Sequence, residues 1–261
     1  MSSKPMFNKK KYKKKITDPM FSIITVVKNN ELYLEKTILS VLNQTYKNFE
    51  YIIVDGKSKD NTLNIIKKYK NRITKWKSEK DNGIYYAFNK GLKMCSGKYI
   101  CIVNSDDILK KNALKIIFKY IKKFPQADFF FGSVKKHWGI LHGYNPKKIK
   151  YSWGFYSSHS TGFYLKRLSA KKIGPYNTKY KYHADYDYFY RMIVGYKMKG
   201  ISTKKNEIVG IFRRGGFSSK INLRKSFFEE LRIRYDNNQN IILICIIAFY
   251  KFFKHFRKIV L

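Results

Sequence analysis

Two adjacent carboxylates, Asp106 and Asp107, follow directly on a short apolar run, 99–103. The β-branched and aromatic bias of that run predicts a buried strand. In open α/β sheets, ligands bind beyond the carboxyl ends of the strands. Paired carboxylates at such an end suit Mg²⁺, which takes one or two carboxylates together with substrate phosphates. For this stretch alone, the alternative is a strand followed by an Asp-rich turn or a helix cap.

Alternating strands and helices are predicted to position this pair. Short apolar runs bounded by turn residues predict strands, and apolar residues at helical spacing predict the helices between them. That alternation is typical of an α/β domain with a central, mostly parallel sheet flanked by helices. The predicted strands cover 21–27, 49–54, 73–77 and 99–103, and the predicted helices cover 31–43, 61–70 and 84–94.

Carboxylates follow three of the four predicted strands. Asp55 ends the second strand, Asp81 follows the third, and Asp106 and Asp107 follow the fourth. The carboxyl ends of parallel strands meet at one edge of a sheet, so these side chains are expected to gather there. Each residue alone is better explained as a turn residue. Together, in a chain with only 17 acidic residues against 55 basic ones, they favour a binding site.

The second half of the chain carries further candidates on less regular elements. A segment from His183 to Asp187 opens a predicted helix that runs to about residue 194, and a Gly-rich loop, 213–218, follows the last predicted strand. Residues 135–158 are rich in aromatics, Gly and Lys and fit no regular element, as expected of a loop that covers a substrate. Neither a GxGxxG nor a GxxxxGK[ST] motif follows any strand, which argues against Rossmann dinucleotide and P-loop sites.

The charge and the cysteines limit the class of protein. The net charge of +38 must attract polyanions, so a nucleic-acid-binding protein is one alternative. The excess is mainly Lys, whereas base readout favours Arg, and no nucleic-acid-reading motif is present. Cys95, Cys101 and Cys245 form no CxxC pair, which indicates neither a zinc site nor a disulfide framework and predicts a reduced cytoplasmic compartment.

Both ends of the chain are basic. Residues 1–19 are predicted to be a flexible basic arm, with no apolar segment that would make a signal peptide. The apolar run 241–250 is shorter than the roughly 20 residues that a membrane span needs. Beyond it, a helix would carry Lys251, Lys254, His255 and Lys258 on one face and apolar side chains on the other, which predicts a helix in the interface of an anionic membrane. A helix docked on the domain is the alternative.

Four stretches of the chain carry a family resemblance. They are SIITVVKNN, TILSVLNQTYKNFEYIIVDGKSKDNT, SEKDNGIYYAFNKGLKMCSGKYICIVNSDD and HADYDYFYRM. Together they resemble the family 2 glycosyltransferases, which are inverting nucleotide-sugar enzymes of the GT-A fold. The resemblance covers about residues 20–220. It implies a nucleotide-sugar-binding half, 20–110, an acceptor half, 111–220, and C-terminal helices, 221–261.

The resemblance implies a donor site along the first four strands. Val26 and Lys28 would border the nucleotide base, Asp55 would hydrogen-bond the uracil, and Asp81 would contact the base or ribose. Asn89 would lie near the donor. By the same resemblance, Asp106 would bind the ribose and the metal, and Asp107 would be the main metal ligand.

The resemblance also implies the reacting groups. Asp185 matches the catalytic base, with Asp187 as the second choice. Possible diphosphate or acceptor contacts are His159, His183, Arg213 and Ser218. For both histidines an ordinary hydrogen-bonded role is equally open, and Arg213 is equally open to a role as a solvated loop charge.

The activity implied is inverting transfer of a single sugar from a nucleotide-sugar, expected to be a UDP-sugar, with Mg²⁺ or Mn²⁺. The acceptor would be a glycan or a lipid-linked sugar in surface-glycan synthesis, at the cytoplasmic membrane face. The Gln-x-x-Arg-Trp motif of processive synthases is absent, which favours single transfer. Asn104 stands where many relatives have Asp. A catalytically silent glycosyltransferase-like binding domain is the further alternative.

Overall fold

A computed structural model of the protein describes residues 18–151, 160–213, 215 and 222–260, with side chains described to residue 254. Strands and α-helices within these residues are numbered in chain order. The strands are β1 Phe21–Val27, β2 Phe49–Asp55, β3 Lys75–Ser78, β4 Tyr99–Ile102, β5 Ile108–Leu109, β6 Phe129–Phe131, β7 Ser133–Lys136, β8 Gly139–Leu141, β9 Phe163–Lys166, β10 Gly200–Ser202 and β11 Ile208–Ile211. The helices are α1 Glu31–Leu42, α2 Thr62–Lys68, α3 Ile84–Met94, α4 Ala113–Lys123, α5 Lys148–Tyr151, α6 Arg167–Ile173, α7 Ala184–Tyr190, α8 Leu223–Asp236 and α9 Ile241–Val260.

A seven-stranded sheet in the order β10-β6-β9-β4-β1-β2-β3 forms the centre of the molecule. β4, β1, β2 and β3 are parallel neighbours, and β9 runs antiparallel between β4 and β6. All seven residues of β1 are buried, as expected of a central strand with helices on both faces. The mostly parallel sheet and its first four strands are as the sequence predicts.

Each face of the sheet carries its own hydrophobic core. On one face, α1, α2 and α4 pack through residues such as Leu34, Ile66 and Ile117. On the other face, α3, α6, α7 and α8 pack through residues such as Phe88 and Tyr188. Alternate strand residues feed the two cores because successive side chains of a strand point to opposite faces.

A second, four-stranded sheet has the order β5-β11-β7-β8. β7 and β8 form an antiparallel hairpin that extends into the region 135–158, which the sequence left unassigned. β11 pairs antiparallel with β5, the two-residue strand directly after Asp107. This pairing brings the residues that follow β11 back to the end of β4.

Two elements of the second half have irregular ends. Residues 160–162 form a 3₁₀ turn, and the strand starts only at Phe163. The helix that begins at Ala184 changes after Tyr190 into a π-helical turn, Arg191–Gly195. There the Arg191 guanidinium binds the carbonyl oxygens of Ile173 and Pro175, at 2.7 and 2.9 Å, and so joins this turn to the end of α6.

The C-terminal helix α9 packs on α8, and its orientation corrects one prediction. Lys251, expected at the membrane headgroups, is 2% exposed and donates to Glu230 on α8 at 2.7 Å. The reason is register: Ile244, Ile247 and Lys251 lie on one face of α9, and that face contacts the domain. The side chains of His255 and Lys258 lie outside the described residues. None of the described helices combines the length and the apolar character that a membrane span requires.

The opposite face of α9 is apolar and exposed. Five large side chains at helical spacing project from it, each more than half exposed. We call this set the apolar stripe. It consists of Ile242, Ile246, Phe249, Tyr250 and Phe253.

Candidate active site

A cavity of about 630 Å³ opens at the carboxyl edge of β1 and β4. One side is formed by loops that follow the parallel strands, which supply polar groups at the rim. The other side is aromatic, from α3, α7 and the segments around them. An apolar wall with a few convergent polar groups is typical of a ligand site. The aromatic lining residues are Tyr33, Tyr85, Phe88, Phe163, Tyr176, Tyr182, Phe189 and Phe212.

The structure brings six of the predicted site residues together around this cavity. They come from five separate segments of the chain, which the parallel sheet and the β5–β11 pairing join. The six are Val26, Lys28, Asp81, Asp106, Asp185 and Arg213. Five further predicted residues are described but lie outside the cavity lining: Asn89, Asp55, Asp107, Asp187 and His183. His159 and Ser218 lie outside the described residues.

Asp55 is fully buried at the end of β2 and joins two loops. Its carboxylate accepts from the Ser58 hydroxyl and from the Ser78 hydroxyl, each at 2.5 Å. The Ser58 backbone N–H also donates to it at 3.2 Å. The carboxylate therefore fixes the loop after β2 to the end of β3, directly beside the cavity rim.

Asp81 lies at the rim of the cavity, beside the start of the loop that follows β2. Its carboxylate pairs with the Lys90 ammonium group, which also binds Glu79 at 2.9 Å. Although partial burial opposes the effect, hydrogen bonds to the Asp81 and Glu79 carboxylates raise the pKa of Lys90. A Cβ atom at Gly56 would stand 3.3 Å from the other Asp81 oxygen, so the absence of a side chain there lets the two loops approach.

Asn89 positions part of the aromatic wall. Its side-chain amide donates to the Tyr176 carbonyl at 2.9 Å and accepts from the Tyr176 N–H at 2.8 Å. Tyr176 in turn stacks on Tyr85, with ring centroids 5.9 Å apart. Asn89 thus lies outside the cavity lining but holds Tyr176, whose side chain lines the cavity.

The two carboxylates after β4 point to different surroundings. Asp106 lines the cavity, whereas Asp107 is fully buried. The Asp107 carboxylate accepts from the Thr161 hydroxyl at 2.9 Å and from the Arg213 backbone N–H at 3.3 Å. Asp107 therefore ties the end of β4 to the segments before β9 and after β11.

The donor set at this end of β4 fits a divalent cation. Asn104 lines the cavity, and among the described atoms its side-chain oxygen is buried without a hydrogen-bond partner. A buried acceptor of that kind needs a donor or a cation. Together with the Asp106 carboxylate it offers the oxygen ligands that Mg²⁺ prefers, with phosphates and water as the remainder. No group of three His, Cys, Asp or Glu side chains suited to a metal occurs in the residues that the structure describes.

Asp185 projects into the cavity from the first turn of α7. One carboxylate oxygen accepts from the Tyr186 N–H at 2.9 Å and lies 3.2 Å from the Tyr85 hydroxyl. The neighbouring Asp187 is buried, pairs with Arg191 at 2.9 Å and accepts from the Asn237 amide at 3.0 Å. Of the two carboxylates, Asp185 is the one placed to meet a ligand.

Arg213 supplies a cation to the cavity lining. Its guanidinium carbon lies 3.4 Å from the centre of the Tyr33 ring, a cation–π contact. Its Nε is buried and, among the described residues, has no hydrogen-bond partner. An arginine so oriented is suited to binding a diphosphate.

The sequence did not point to Tyr33, Tyr85, Asn104 Oδ1 or Tyr176 as site groups. For Tyr85 a signal existed, since an aromatic residue with a polar tip opens α3 directly after the Asp81 loop. In the structure Tyr85 and Phe88 are buried, whereas Ile84 and Leu92 are partly exposed.

The fold and site define a class: an α/β domain with a mostly parallel sheet and an acidic cavity at its carboxyl edge. A model of the family described as "Glycosyl transferase family 2" matches residues 22–189. The chain therefore belongs to glycosyl transferase family 2. One relative, the "Uncharacterized glycosyltransferase MJ1057" of Methanocaldococcus jannaschii, is 32% identical over 189 residues, covering 67% of this chain and 65% of that protein.

Solved structures confirm the predicted GT-A fold. Residues 1–349 of TarS from S. aureus, solved in complex with UDP-GlcNAc, match with a TM-score of 0.62 and 19% identity, over 82% of this chain and 65% of that one. The mannosyltransferase PcManGT from Pyrobaculum calidifontis, in complex with GDP-Man and Mn²⁺, matches with a TM-score of 0.64 and 14% identity, over 93% and 72%. The chain thus spans just under two thirds of MJ1057 and of that TarS chain.

Proposed function

We propose that this protein transfers a single sugar from a UDP-sugar to a hydroxyl of a glycan or lipid-linked acceptor, with inversion. The observation that carries the proposal is that Lys28, Asp81, Asp106, Asp185 and Arg213 line one cavity. Its acidic groups suit ribose hydroxyls and a metal, and its cations suit a diphosphate. The nucleotide-sugars bound to TarS and PcManGT support this class of donor.

The donor is proposed to lie along the carboxyl ends of the parallel strands, in the half formed by residues 20–110. Val26 and Lys28 border the base, and Asp81 contacts the base or ribose. Asp55 lies outside the cavity lining and supports this end of the site by holding the loop after β2. Asn89 supports this half through Tyr176. The acceptor enters from the half formed by residues 111–220, which carries Asp185.

A divalent ion, Mg²⁺ or Mn²⁺, fits the oxygens at the end of β4. Asp106 and Asn104 would hold it, and Asp107, bound to Thr161 and to the Arg213 N–H, would position this end of β4. The ion would supply positive charge where the leaving diphosphate becomes negative. The Mn²⁺ in the PcManGT complex supports this choice of ion. Arg213, held against Tyr33, adds a fixed positive charge from this chain's own residues.

Asp185 is proposed to take the proton of the acceptor hydroxyl as that oxygen attacks the anomeric carbon. Attack opposite the leaving diphosphate inverts the configuration at this carbon. A positioned base of this kind contributes about 10²–10⁴-fold. The Tyr186 N–H and the Tyr85 hydroxyl orient the carboxylate toward the cavity.

The test is a panel of UDP-sugars with Mn²⁺, comparing wild type with Asp185→Asn and Asp107→Ala. Asp185→Asn is expected to lower kcat by about 10²–10⁴-fold while UDP binding is kept. Asp107→Ala is expected to weaken Mn²⁺-dependent UDP binding. The matched control is Asp18→Asn, because Asp18 is exposed and pairs with Lys98 at the opposite edge of the sheet.

Three outcomes would contradict the proposal. Intact turnover in Asp185→Asn would refute the assignment of the base. UDP binding without turnover of any donor would favour the silent binding domain. Salt-sensitive binding of nucleic acid with no affinity for UDP would favour the polyanion-binding alternative, because phosphate contacts make such binding salt-dependent.

We further propose that the protein works as a peripheral protein on the cytoplasmic face of an anionic membrane. The apolar stripe of α9 would lie in the interface, and the basic remainder of the chain would face anionic headgroups. A lipid surface is favoured over a second copy because two chains of charge +38 repel each other, whereas anionic lipid attracts them.

Flotation with phosphatidylcholine vesicles, with and without phosphatidylglycerol, tests this proposal. The double variant Phe249→Gln, Phe253→Gln is expected to lose most of its binding to the anionic vesicles. Trp138→Gln is the control, since Trp138 is as exposed as Phe253, at 61% each, but lies on the β7–β8 hairpin. Unchanged binding of the double variant would refute the proposal, as would self-association of the wild type that this variant abolishes.

A further inference from the structure

The helix α8 holds the segment that leads into α7. Four side chains along one side of α8 and its end bind residues of the segment 180–187. The α8 side of this contact lies beyond residues 22–189, the part of the chain that the family model matches, because α8 starts at Leu223. The four side chains are Ser226, Glu229, Asp236 and Asn237.

Of these four side chains, Glu229 accepts the most hydrogen bonds from the segment. One carboxylate oxygen accepts from the N–H groups of Tyr182 and His183, at 2.6 and 2.8 Å, and the other accepts from the N–H of Lys181, at 2.7 Å. Three consecutive backbone donors thus converge on one carboxylate. Hydrogen bonds to an ionised acceptor are about twice as strong as neutral ones, so this contact fixes the backbone of the three residues.

Side chains of α8 before and after Glu229 also bind the segment. The His183 ring lies 2.6 Å from the Ser226 hydroxyl, which accounts for His183 lying outside the cavity lining. The Tyr180 hydroxyl donates to Asp236 at 2.6 Å. These contacts hold the start of the segment against α8.

The fixed segment ends at the candidate base. Tyr182 lines the cavity, and its carbonyl oxygen lies 2.9 Å from the Tyr85 hydroxyl, the group that also reaches Asp185. Asp185 follows His183 by two residues. The position of the Asp185 carboxylate is therefore set from one side by Tyr85 and from the other by the backbone that Glu229 holds.

We infer that Glu229 is a positioning residue for Asp185, acting through the backbone of residues 181–183. The inference rests on the proposed function, since it assigns Glu229 a role in the reaction that Asp185 would catalyse. A displacement of a reacting group by about 1 Å can cost 10²-fold in rate. Loss of the Glu229 carboxylate is therefore expected to slow the chemical step rather than to weaken donor binding.

The experiment measures release of UDP from UDP-GlcNAc, or the best donor of the panel, with water in place of the acceptor. Glu229→Gln keeps the size of the side chain but turns an NH₂ group toward backbone donors. We expect kcat to fall about ten- to hundred-fold, with the Kd for UDP within about twofold of wild type. Glu35→Gln is the matched control, an exposed Glu on α1 that pairs with Lys68 on α2.

A second comparison separates positioning from general destabilisation. If Glu229 acts through Asp185, Glu229→Gln adds little to the loss already caused by Asp185→Asn, because residues that act as a unit are not additive. An equal further loss in the Asp185→Asn background would overturn the inference. If Glu229→Gln does not fold, Glu229→Asp, which keeps the charge on a shorter side chain, takes its place in the same comparison.

Amide hydrogen exchange tests the contact between Glu229 and residues 181–183 without measuring turnover. The amides of residues 181–183 are expected to exchange faster in Glu229→Gln, while those of β1 stay protected. Unchanged protection would show that Glu229 does not hold the segment and would refute the inference. A wild-type protein with this protection but no turnover of any donor would instead refute the proposed function.

Discussion

Replacing Glu230 with Gln is expected to destabilise the C-terminal part of the fold strongly. Glu230 is the carboxylate that two buried cations share: Arg234 donates to it at 2.9 and 3.1 Å, and Lys251 at 2.7 Å. Arg234 is 0% exposed and Lys251 is 2% exposed. Removing the partner of a buried charge costs about 3–5 kcal/mol.

The two cations would respond differently to the loss of Glu230. Burial already lowers the pKa of Lys251 to about 7, so this side chain can lose its proton. Arg234 stays charged, although Gln239 and the Lys150 carbonyl still accept from it at 2.9 and 3.0 Å. We therefore expect a loss of about 3 kcal/mol, at the low end of that range, carried mainly by Arg234.

Thermal unfolding and urea unfolding at pH 8 measure this loss. For a chain of this size, about 3 kcal/mol corresponds to a fall in Tm of roughly 6–12 °C. Adding Arg234→Met to Glu230→Gln is expected to recover part of the loss, because it removes the buried charge that Glu230→Gln leaves unpaired. A loss below about 1 kcal/mol in Glu230→Gln would refute this reasoning.

Three further predictions follow from single contacts. Burial lowers the pKa of Lys251 in the folded protein to about 7, so between pH 7 and 10.5 the unfolded chain binds one proton more than the folded one. The free energy of unfolding should therefore rise with pH in this range and be flat just below it. Lys251→Met should remove the rise, as measured by urea midpoints. Gly97→Ala puts a Cβ 2.7 Å from backbone atoms of β1 and should cost about 1–3 kcal/mol in unfolding free energy, unlike Gly195→Ala, which meets nothing within 4 Å. Asp106→Asn should weaken Mn²⁺-dependent UDP binding, measured by calorimetry. If the wild type binds UDP with equal affinity with and without Mn²⁺, the prediction is wrong.

Local pattern was enough to predict the first half of the fold. Strands β1 and β2 and helix α3 begin where their apolar runs and turn residues place them, because strand and helix periodicity are properties of neighbouring residues. The gathering of Asp81 and Asp106 at one edge follows from parallel strands alone. The region 135–158 was not predictable in this way, because the short strand β7 pairs with the distant β11, and β8 in turn pairs with β7.

Tertiary contacts separated residues that the sequence could not tell apart. Asp185 and Asp187 are the same residue type two positions apart, and only Arg191 and Asn237 decide that Asp187 is occupied. Asp106 and Asp107 are adjacent, but Thr161, 54 residues away, takes Asp107 out of the cavity lining.

The C-terminal helices show the same division most clearly. The sequence by itself determined that α9 is a helix with a long apolar run and a basic end. It did not determine which face would be buried, because Glu230, the partner that draws Lys251 inward, lies 21 residues earlier on another helix. The same holds for Glu229, whose three backbone partners lie 46–48 residues earlier in the chain. Periodicity is local and can be read along the chain, whereas the pairing of a buried charge depends on where the fold brings its partner.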